Sequence, residues 1–440
     1  MQIQDLYKLY LAHPSIQTDT RKLQEGDLFF ALKGPNFNGN KFAQQALDAG
    51  AAYVIIDEPA DFSDERLIIT DDALNTLQQL AKYHRQQFDN LSRPGGIPFI
   101  AITGSNGKTT TKELVHEVLS STYITYTTKG NLNNHIGIPL TILSVKKDAE
   151  MAVIEMGANH QKEIASYCTY TLPTHGIITN CGKAHLEGFG GEEGVRKGKG
   201  ELYDYLRENN GTIFLMNDYD YLVEMSKGIA NIKTYGTKDA DICGVADNSK
   251  ELLEVNILKG TAIQHIKTNL VGSYNLPNVL AAVAVGKYFN VADDKIKTAL
   301  ESYIPSNSRS QLIEKDSNKI ILDAYNANPT SMKAAIENFA KMAARAGTDG
   351  EGSDKILLLG GMMEMGKESL KEHTAIVELI NQYKWKDVVL VGDDFDKVKH
   401  CYINFKTSEE AKEWLQQQHL KNSLLLVKGS RSMQMEKVLE

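Results

Sequence analysis

The stretch that most constrains this chain is "FIAITGSNGKTTTKELVHEVLSS", residues 99 to 121, an apolar run, a glycine-containing turn and an amphipathic segment in immediate succession. An uninterrupted apolar run of this length reads as a strand covered on both faces, and the segment from Thr109 onward carries helical periodicity. A strand, a tight turn and a helix in that order form a phosphate-binding device. Backbone N–H groups at the turn and helix N-terminus face an anion, Lys108 adds a positive charge, and a hydroxyl from Thr109 or Thr110 can reach Mg²⁺. The general nucleotide loop G-x-x-x-x-G-K-[ST] has a glycine where this chain has Ile102. The bland alternative is an ordinary strand-turn-helix with an exposed lysine.

The same texture extends along the chain. Residues 1 to about 90 interleave "DLFFAL" and "AAYVIID" with helical patterns such as "ALNTLQQLAKYHRQQF" and read as a small α/β unit. "SRPGGIPF" concentrates breakers of both helix and strand and reads as a linker. Beyond it "FIAIT", "MAVIEM", "HGIITN" and "TIFLMN" alternate with helical segments, predicting a doubly wound, mainly parallel sheet. Residues 232 to 272 are more strand-like, and "SYNLPNVLAAVAVGKYF" closes that unit as an apolar helix. A third α/β series follows, with "KIILDAY", "KILLLG", "DVVLVG" and "LLLVKG" as strands and "ARAGTDGEGSDK" as an exposed loop. With 440 residues and roughly 100–200 per domain, three domains are expected, with bounds 1–95, 96–304 and 305–440.

Composition narrows the partners. The balance of 48 Lys+Arg against 56 Asp+Glu leaves a net charge of −8, which argues against a general nucleic-acid or anionic-membrane binder. An anionic ligand must therefore be met by local cations and backbone amides. Four scattered cysteines without a C-x-x-C pair favour reduced thiols, and the N-terminus lacks the apolar core of a signal peptide. No stretch reaches the roughly 18 uninterrupted apolar residues of a membrane span. A cytoplasmic protein is expected.

Several polar residues sit where strands end. Glu155 interrupts the apolar run "MAVIEM", and the crevice of an open α/β sheet lies beyond its strand C-termini, so Glu155 could ligate Mg²⁺ or instead form a cap or ion pair. His185, in "NCGKAHLEGFG", also lies at the crevice, although a lone histidine is more often structural or merely exposed than a metal ligand. In "GVRKGKGE", Arg196, Lys197 and Lys199 are either a solvated helix start or include one lysine drawn into a metal site, where an ammonium would repel Mg²⁺. "NLNNHIGIPLT" carries Asn131, Asn133 and Asn134, suited to turns or to a polar ligand loop. "DAYNANPTS", with Asp323, Asn326 and Asn328, runs from a strand end into a helix, as caps or as nucleotide or substrate contacts, and "LLLVKGSRSMQME", with Lys428, Ser430 and Arg431, does so as anion-recognition groups or as a capped helix.

Together these segments resemble the Mur ligases, ATP-dependent amide-forming enzymes of peptidoglycan synthesis. Their loop is T-G-[ST]-N-G-K-T-[ST], which Thr103 to Thr110 match without a glycine at 102. "TTKGNLNNHIGIPLT", "EMGANH", "HLEGFGGEEGVRKGKGE", "GSYNLPNVLAAVAVG" and "DAYNANPTSM" follow the family's order across most of the chain. Within the family, "YNANPTSMKAA", "GMMEMGKES" and "VKGSRSMQME" resemble the branch that adds a D-alanyl-D-alanine dipeptide, and the D-N-P-R signature of the branch adding the third amino acid is absent. Another Mur-type or folylpolyglutamate-like amide ligase and a nucleotide-dependent regulatory protein are the competing readings.

The resemblance implies an N-terminal domain that receives the UDP-sugar-peptide, a central P-loop ATPase and a Rossmann-like C-terminal domain. It implies ATP and Mg²⁺ as cofactors, UDP-MurNAc-tripeptide and D-Ala-D-Ala as substrates, and a monomer with neither nucleic-acid binding nor membrane insertion. Gly104, Ser105, Asn106, Gly107, Lys108, Thr109 and Thr110 would hold phosphates, with Asn275, Asn278, Arg309, Asp323 and Asn326 around the rest of ATP. Thr109, Glu155, His185 and Lys199, the last as a carbamate, would serve the metal sites, and Lys108, His185 and Lys199 the catalysis. Substrate contacts would come from Thr20, Arg21, Lys33, Asn131, Asn133, Asn134, Lys428, Ser430 and Arg431. The chain departs from its relatives at "NFNGNKF", where D-G-H is common, at Gly361, where aspartate is common, and at Tyr274, where histidine often precedes the asparagine.

Overall fold

The computed structural model describes residues 1–89, 96–247, 251–306, 308–342 and 355–440. The first half of the expected linker, residues 92–95, and all but the last residue of "ARAGTDGEGSDK" lie outside them. By contact the chain divides into two compact units that interleave along the sequence: residues 1–102, 123–158 and 162–176 form one, and 103–122, 159–161 and 177–440 the other.

The fold is mixed α/β, as expected. Near the N-terminus, Ile16–Gln17, Leu28–Phe30, Tyr53–Ile56 and Leu67–Ile69 form a four-stranded parallel sheet in that order. Phe29, Val54 and Ile56 pack there against Ala43, Ala46 and Leu47 of the helix Ala43–Asp48. Helix Ala73–Gln86 is capped by Asp72, whose carboxylate accepts from Asn75 N. Near its end Arg85, 2% exposed, donates to the carbonyls of Thr171 and Leu172 and lies 4.1 Å from the centre of the Phe99 ring.

The central sheet has nine strands, in the order His265–Val271, Leu252–Lys259, Ile242–Asp247, Asn231–Gly236, Thr212–Met216, His175–Ile178, Phe99–Thr103, Met151–Glu155, Thr125–Thr127. The four predicted apolar runs are strands of this sheet. All five residues of Phe99–Thr103 and of Met151–Glu155 are buried, which is why these segments read as continuous apolar runs. Strand order reverses at Phe99–Thr103, the topological switch point at which open α/β sheets bind ligands. The strand-like region after residue 230 extends the sheet, and its last two strands are antiparallel. Helix Leu276–Tyr288 is apolar on nearly every side because it is buried on nearly every side; a Cβ on Gly286 would lie 2.6 Å from Val118, so glycine there permits close packing.

The last sheet runs Gln311–Lys315, Asn318–Asp323, Leu424–Lys428, Lys355–Gly360, Asp387–Val391, Ile403–Phe405. Its four predicted strands are joined by two edge strands, of which Gln311–Lys315 is antiparallel and the rest of the sheet parallel. Its core includes Ile320, Leu322, Ile356, Leu358, Val389, Leu425 and Val427.

Candidate active site

The phosphate-loop geometry follows from two glycines. Gly104 has φ +141, and a Cβ on it would stand 2.0 Å from Thr179 Oγ1. Gly107, at φ +80, occupies the left-handed position from which helix Lys108–Ser120 starts, and a Cβ there would stand 2.6 Å from Asn278 Oδ1. No other residue meets both demands, a left-handed backbone and no side chain.

The loop is held by the strand end beside it. Ser105 N donates to Asn180 O at 2.9 Å, Asn106 N to Asn180 Oδ1 at 3.0 Å, and Ser105 Oγ to Gly182 O at 2.9 Å. Asn106 O accepts from Thr179 Oγ1 at 2.6 Å and from Asn180 Nδ2 at 3.0 Å. The Lys108 ammonium folds back over the loop, 2.7 Å from Gly104 O and 3.2 Å from Ser105 O. This arrangement presents a cation and a helix N-terminus together, the two elements that bind a phosphate chain. Thr109 is buried.

Residues expected around a nucleotide come together from distant segments. Asn278 Oδ1 accepts from Thr111 Oγ1 at 3.0 Å, its amide donates to Asn275 Oδ1 at 2.8 Å, and Asn275 donates to Val271 O at 2.9 Å. Arg309 stacks on Tyr325, 3.6 Å from the ring centre, and its buried Nε has no hydrogen-bond partner among the described residues. Such stacking fixes the plane of the guanidinium. Asp323 accepts from Ser310 N at 3.1 Å and from the buried Lys428 ammonium at 2.5 Å, and Lys428 also donates to Asn326 O at 3.3 Å. Tyr274, at the position where relatives often carry histidine, bonds Ser310 Oγ at 3.2 Å; burial, and then the Asp323 charge, push its phenol above the usual range.

His185 has φ +51 at the start of the short helix Leu186–Phe189, and its Nδ1 meets the Glu364 carboxylate. That bond holds Glu364 below the usual carboxylate range. Lys199 is 1% exposed on helix Glu192–Glu208, its Nζ 5.0 Å from the Phe189 ring centre. Cys181 is near enough for Lys199 and Arg196 to oppose the rise of its thiol, which burial pushes up to about 12. Lys183 donates to Glu372 at 2.7 Å, which raises its pKa. Ser430 Oγ donates to Ala327 O at 3.3 Å and accepts from Met363 N at 2.9 Å, while the exposed Arg431 pairs with Glu436 at 2.7 Å.

In the other unit, Glu155 ends its strand 1% exposed and in register with Ile102, the residue before the loop. Asn133 donates to its carboxylate at 2.8 Å. Asn134 is committed to a cap, accepting from Ile136 N and Gly137 N at the head of helix Gly137–Leu143, and Asn131 is exposed. Thr20 opens a one-turn helix, and the exposed Arg21 pairs with Asp19 at 2.8 Å. Lys33 lies 3.0 Å from Asp57 and 3.1 Å from Glu58. Asn38 and Asn40 of "NFNGNKF" bond the same two carboxylates, so that departure from the relatives builds a local polar network. Among the described residues no three His, Cys, Asp or Glu side chains cluster closely enough to hold a metal unaided. The hydroxyl of Thr109 and the carboxylate of Glu155 are each oxygen donors of the kind Mg²⁺ takes.

Thr179, Asn180 and Glu364 were not anticipated, whereas Asn328, expected as a cap or a nucleotide contact, caps its helix and bonds the loop residue Asn106. The signal for the first two was present, since "HGIITN" ends an apolar strand on two polar residues, as "MAVIEM" ends on Glu155.

Three family models cover most of the chain: Mur ligase family catalytic domain over residues 14–90, Mur ligase middle domain over 102–286, and Mur ligase glutamate ligase domain over 308–431. The chain is also 33% identical, over 100% of its length and 96% of the relative's, to the UDP-N-acetylmuramoyl-tripeptide–D-alanyl-D-alanine ligase of Bacillus subtilis. The chain belongs to the Mur ligase family. Among solved Mur ligases, MurF from Acinetobacter baumannii superposes with a TM-score of 0.85 at 29% identity, covering 98% of this chain and 97% of that one. MurF ligase from Thermotoga maritima, in complex with ADP, gives 0.84 at 25% identity with the same coverage. The three family segments fall on the three larger sheets in turn.

Proposed function

We propose that this Mur ligase joins D-alanyl-D-alanine to UDP-N-acetylmuramoyl-tripeptide at the expense of ATP, giving the pentapeptide, ADP and phosphate. The observation that carries the reading is the full-length match to relatives of that name, which includes both outer segments and not merely the nucleotide-binding centre. The chain divides for this purpose into residues 1–95 for the nucleotide-sugar-peptide, 96–304 for ATP and 305–440 for closure of the site. Family-model bounds of 14–90, 102–286 and 308–431 support that division.

The tripeptide carboxylate attacks the γ-phosphorus of ATP; a C–O–P linkage forms and the bond to the ADP oxygen breaks. The neutral dipeptide amine then attacks the acyl carbonyl, the C–N bond forms, phosphate leaves and the amine gives up a proton. Negative charge accumulates at the phosphates in the first step. Lys108 counters it, a role supported by an ammonium anchored on the Gly104 and Ser105 carbonyls at the helix N-terminus. Gly107, Thr109 and Thr110 present backbone N–H groups to the same charge, while Gly104, Ser105 and Asn106 shape the loop around the phosphates, the N–H groups of Ser105 and Asn106 being bonded to Asn180. Asn275, Asn278, Arg309, Asp323 and Asn326 surround the nucleoside and remaining phosphates, a reading supported by the stacked Arg309 and the clustered asparagines. Magnesium, when bound, neutralises phosphate charge, with Thr109, Glu155, His185 and Lys199 as its protein partners. A lysine suits that set once carbamylated, because the carbamate is anionic where the ammonium would repel a cation. The same reading assigns the UDP-sugar-peptide to Thr20, Arg21, Lys33, Asn131 and Asn133 and the dipeptide to Lys428, Ser430 and Arg431; Asn134, spent on a cap, contributes backbone shape.

The enzyme is read as a cytoplasmic monomer, to which four free cysteines accord. Among the described residues no helix is long and apolar enough to cross a membrane. The test is phosphate release from ATP by purified protein, with diaminopimelate- and lysine-containing UDP-MurNAc-tripeptides assayed side by side. Release should require D-Ala-D-Ala and match the pentapeptide formed mole for mole. Release that ignores the dipeptide, or that follows a single amino acid or glutamate, rejects the assignment.

A further inference from the structure

The nucleotide loop is completed by a residue from a distant part of the chain. Asn328 precedes helix Pro329–Lys341 and is 6% exposed. Its Oδ1 accepts from Ser331 N at 3.0 Å and its own N–H donates to Ser331 Oγ at 3.1 Å, a reciprocal cap of the helix. The other end of the same amide, Nδ2, donates to Asn106 Oδ1 at 2.7 Å, across 222 residues of sequence. Asn106 thus has its backbone held by Thr179 and Asn180 and its side chain held by Asn328.

The two ends of the Asn328 amide are not interchangeable. The cap requires its oxygen toward Ser331, so its N–H group must face Asn106, and Asn106 must answer with its own oxygen. The orientation of a phosphate-loop amide is therefore dictated by a helix cap in another segment. A second contact lies two residues on: Thr330 Oγ1 accepts from Lys183 N at 3.1 Å. Gly182 makes room for it, since a Cβ there would lie 2.9 Å from Thr330 Oγ1 and 3.2 Å from Asn106 Nδ2.

We propose that Asn328 is a positioning residue of the nucleotide site, through which the start of helix Pro329–Lys341 sets the shape of loop 104–107 and hence its affinity for a nucleotide. The inference rests on the ATP-ligase reading above. Coupling is reciprocal: nucleotide on the loop strengthens docking of the helix start by the factor that docking strengthens nucleotide binding.

The test is ADP binding by titration calorimetry on the full chain, with steady-state constants and the thermal midpoint measured alongside. Asn328→Ser keeps a helix-capping oxygen but is too short to reach Asn106. Loss of one neutral hydrogen bond should weaken ADP binding and raise the KM for ATP roughly two- to ten-fold, with the KM for the dipeptide and the thermal midpoint unchanged. Asn106→Ala, which leaves the cap intact, should show the same loss, and the double variant should be no weaker than either single one. Unchanged affinity in both single variants, or losses that multiply in the double variant, overturns the proposal. Should Asn328→Ser fail to fold, Asn106→Ala alone decides between these outcomes. Wild-type protein that binds no ADP would instead overturn the ligase reading itself.

Discussion

Gly104→Ala is the sharpest perturbation of the phosphate loop. The substitution places a methyl group 2.0 Å from Thr179 Oγ1 on a backbone at φ +141. Thr179 cannot yield by swinging a long chain aside, because its hydroxyl sits on a β-branched stub and is engaged with Asn106 O at 2.6 Å. Two terms follow. Holding alanine in that backbone region costs about 1–3 kcal/mol, and displacing Thr179 from its hydrogen bond costs about 0.5–1.5 kcal/mol more. In the free protein the loop relaxes and escapes much of this; to bind a nucleotide it must return to the observed shape. The penalty therefore falls on affinity, at up to about 1.5–4.5 kcal/mol, or roughly ten-fold to a thousand-fold or more in the dissociation constant for ADP. Calorimetric titration measures it directly. Thr179→Ala alone removes the hydrogen bond but leaves Asn180 Nδ2 on the same carbonyl, so its loss should be within about ten-fold. The double variant removes the clash and should bind better than Gly104→Ala alone. If Gly104→Ala binds ADP like the wild type, or if removing the Thr179 hydroxyl rescues nothing, the steric account of this glycine is wrong.

Lys199→Ala should lose most ligase activity, and a small carboxylate such as formate should restore part of it by substituting for the carbamate; full activity without additive refutes a metal-site role. A second expectation concerns pH. His84 and His373 are both buried and held below the usual imidazole pKa, first of all by burial. Their ring nitrogens are spent in neutral hydrogen bonds, His84 with Tyr7 and Val145 O, His373 with Met362 N and Ser369 O. The unfolded chain binds the extra protons first, so stability is intact above about pH 6.5 and declines as pH falls through the interval down to the lowered native values. The slope should approach about 1.4 kcal/mol per pH unit for each histidine. Thermal midpoints measured from pH 7.5 to 5 check this, and a flat profile in that window contradicts the burial argument.

The strands were legible where burial is complete. Met151–Glu155 and Lys355–Gly360 are buried at every position, so their composition alone announces them. Gln311–Lys315 is a partly exposed edge strand whose mixed "QLIEK" carries no such signal, and it exists because Asn318–Asp323 offers it an antiparallel partner. Asn134 shows a different limit. Three nearby asparagines looked equivalent in sequence, yet Asn133 reaches Glu155, Asn134 caps a helix and Asn131 is exposed, because turn geometry aims each side chain separately.

By itself the sequence determined the class of the protein: buried parallel strands from runs of apolar residues, a phosphate loop from two glycines and a lysine, and the ligase family from ordered motifs. Those properties depend on neighbours within one strand, turn or helix, which lie side by side in the chain. Only the tertiary structure decided what holds the loop. Thr179 and Asn180 reach it because their strand leads to the same end of the sheet, and Asn328 because a helix starts beside it 222 residues away in sequence. A hydrogen bond acts over about 3 Å, so its partners are chosen by the meeting of elements in space, a selection that local pattern does not encode.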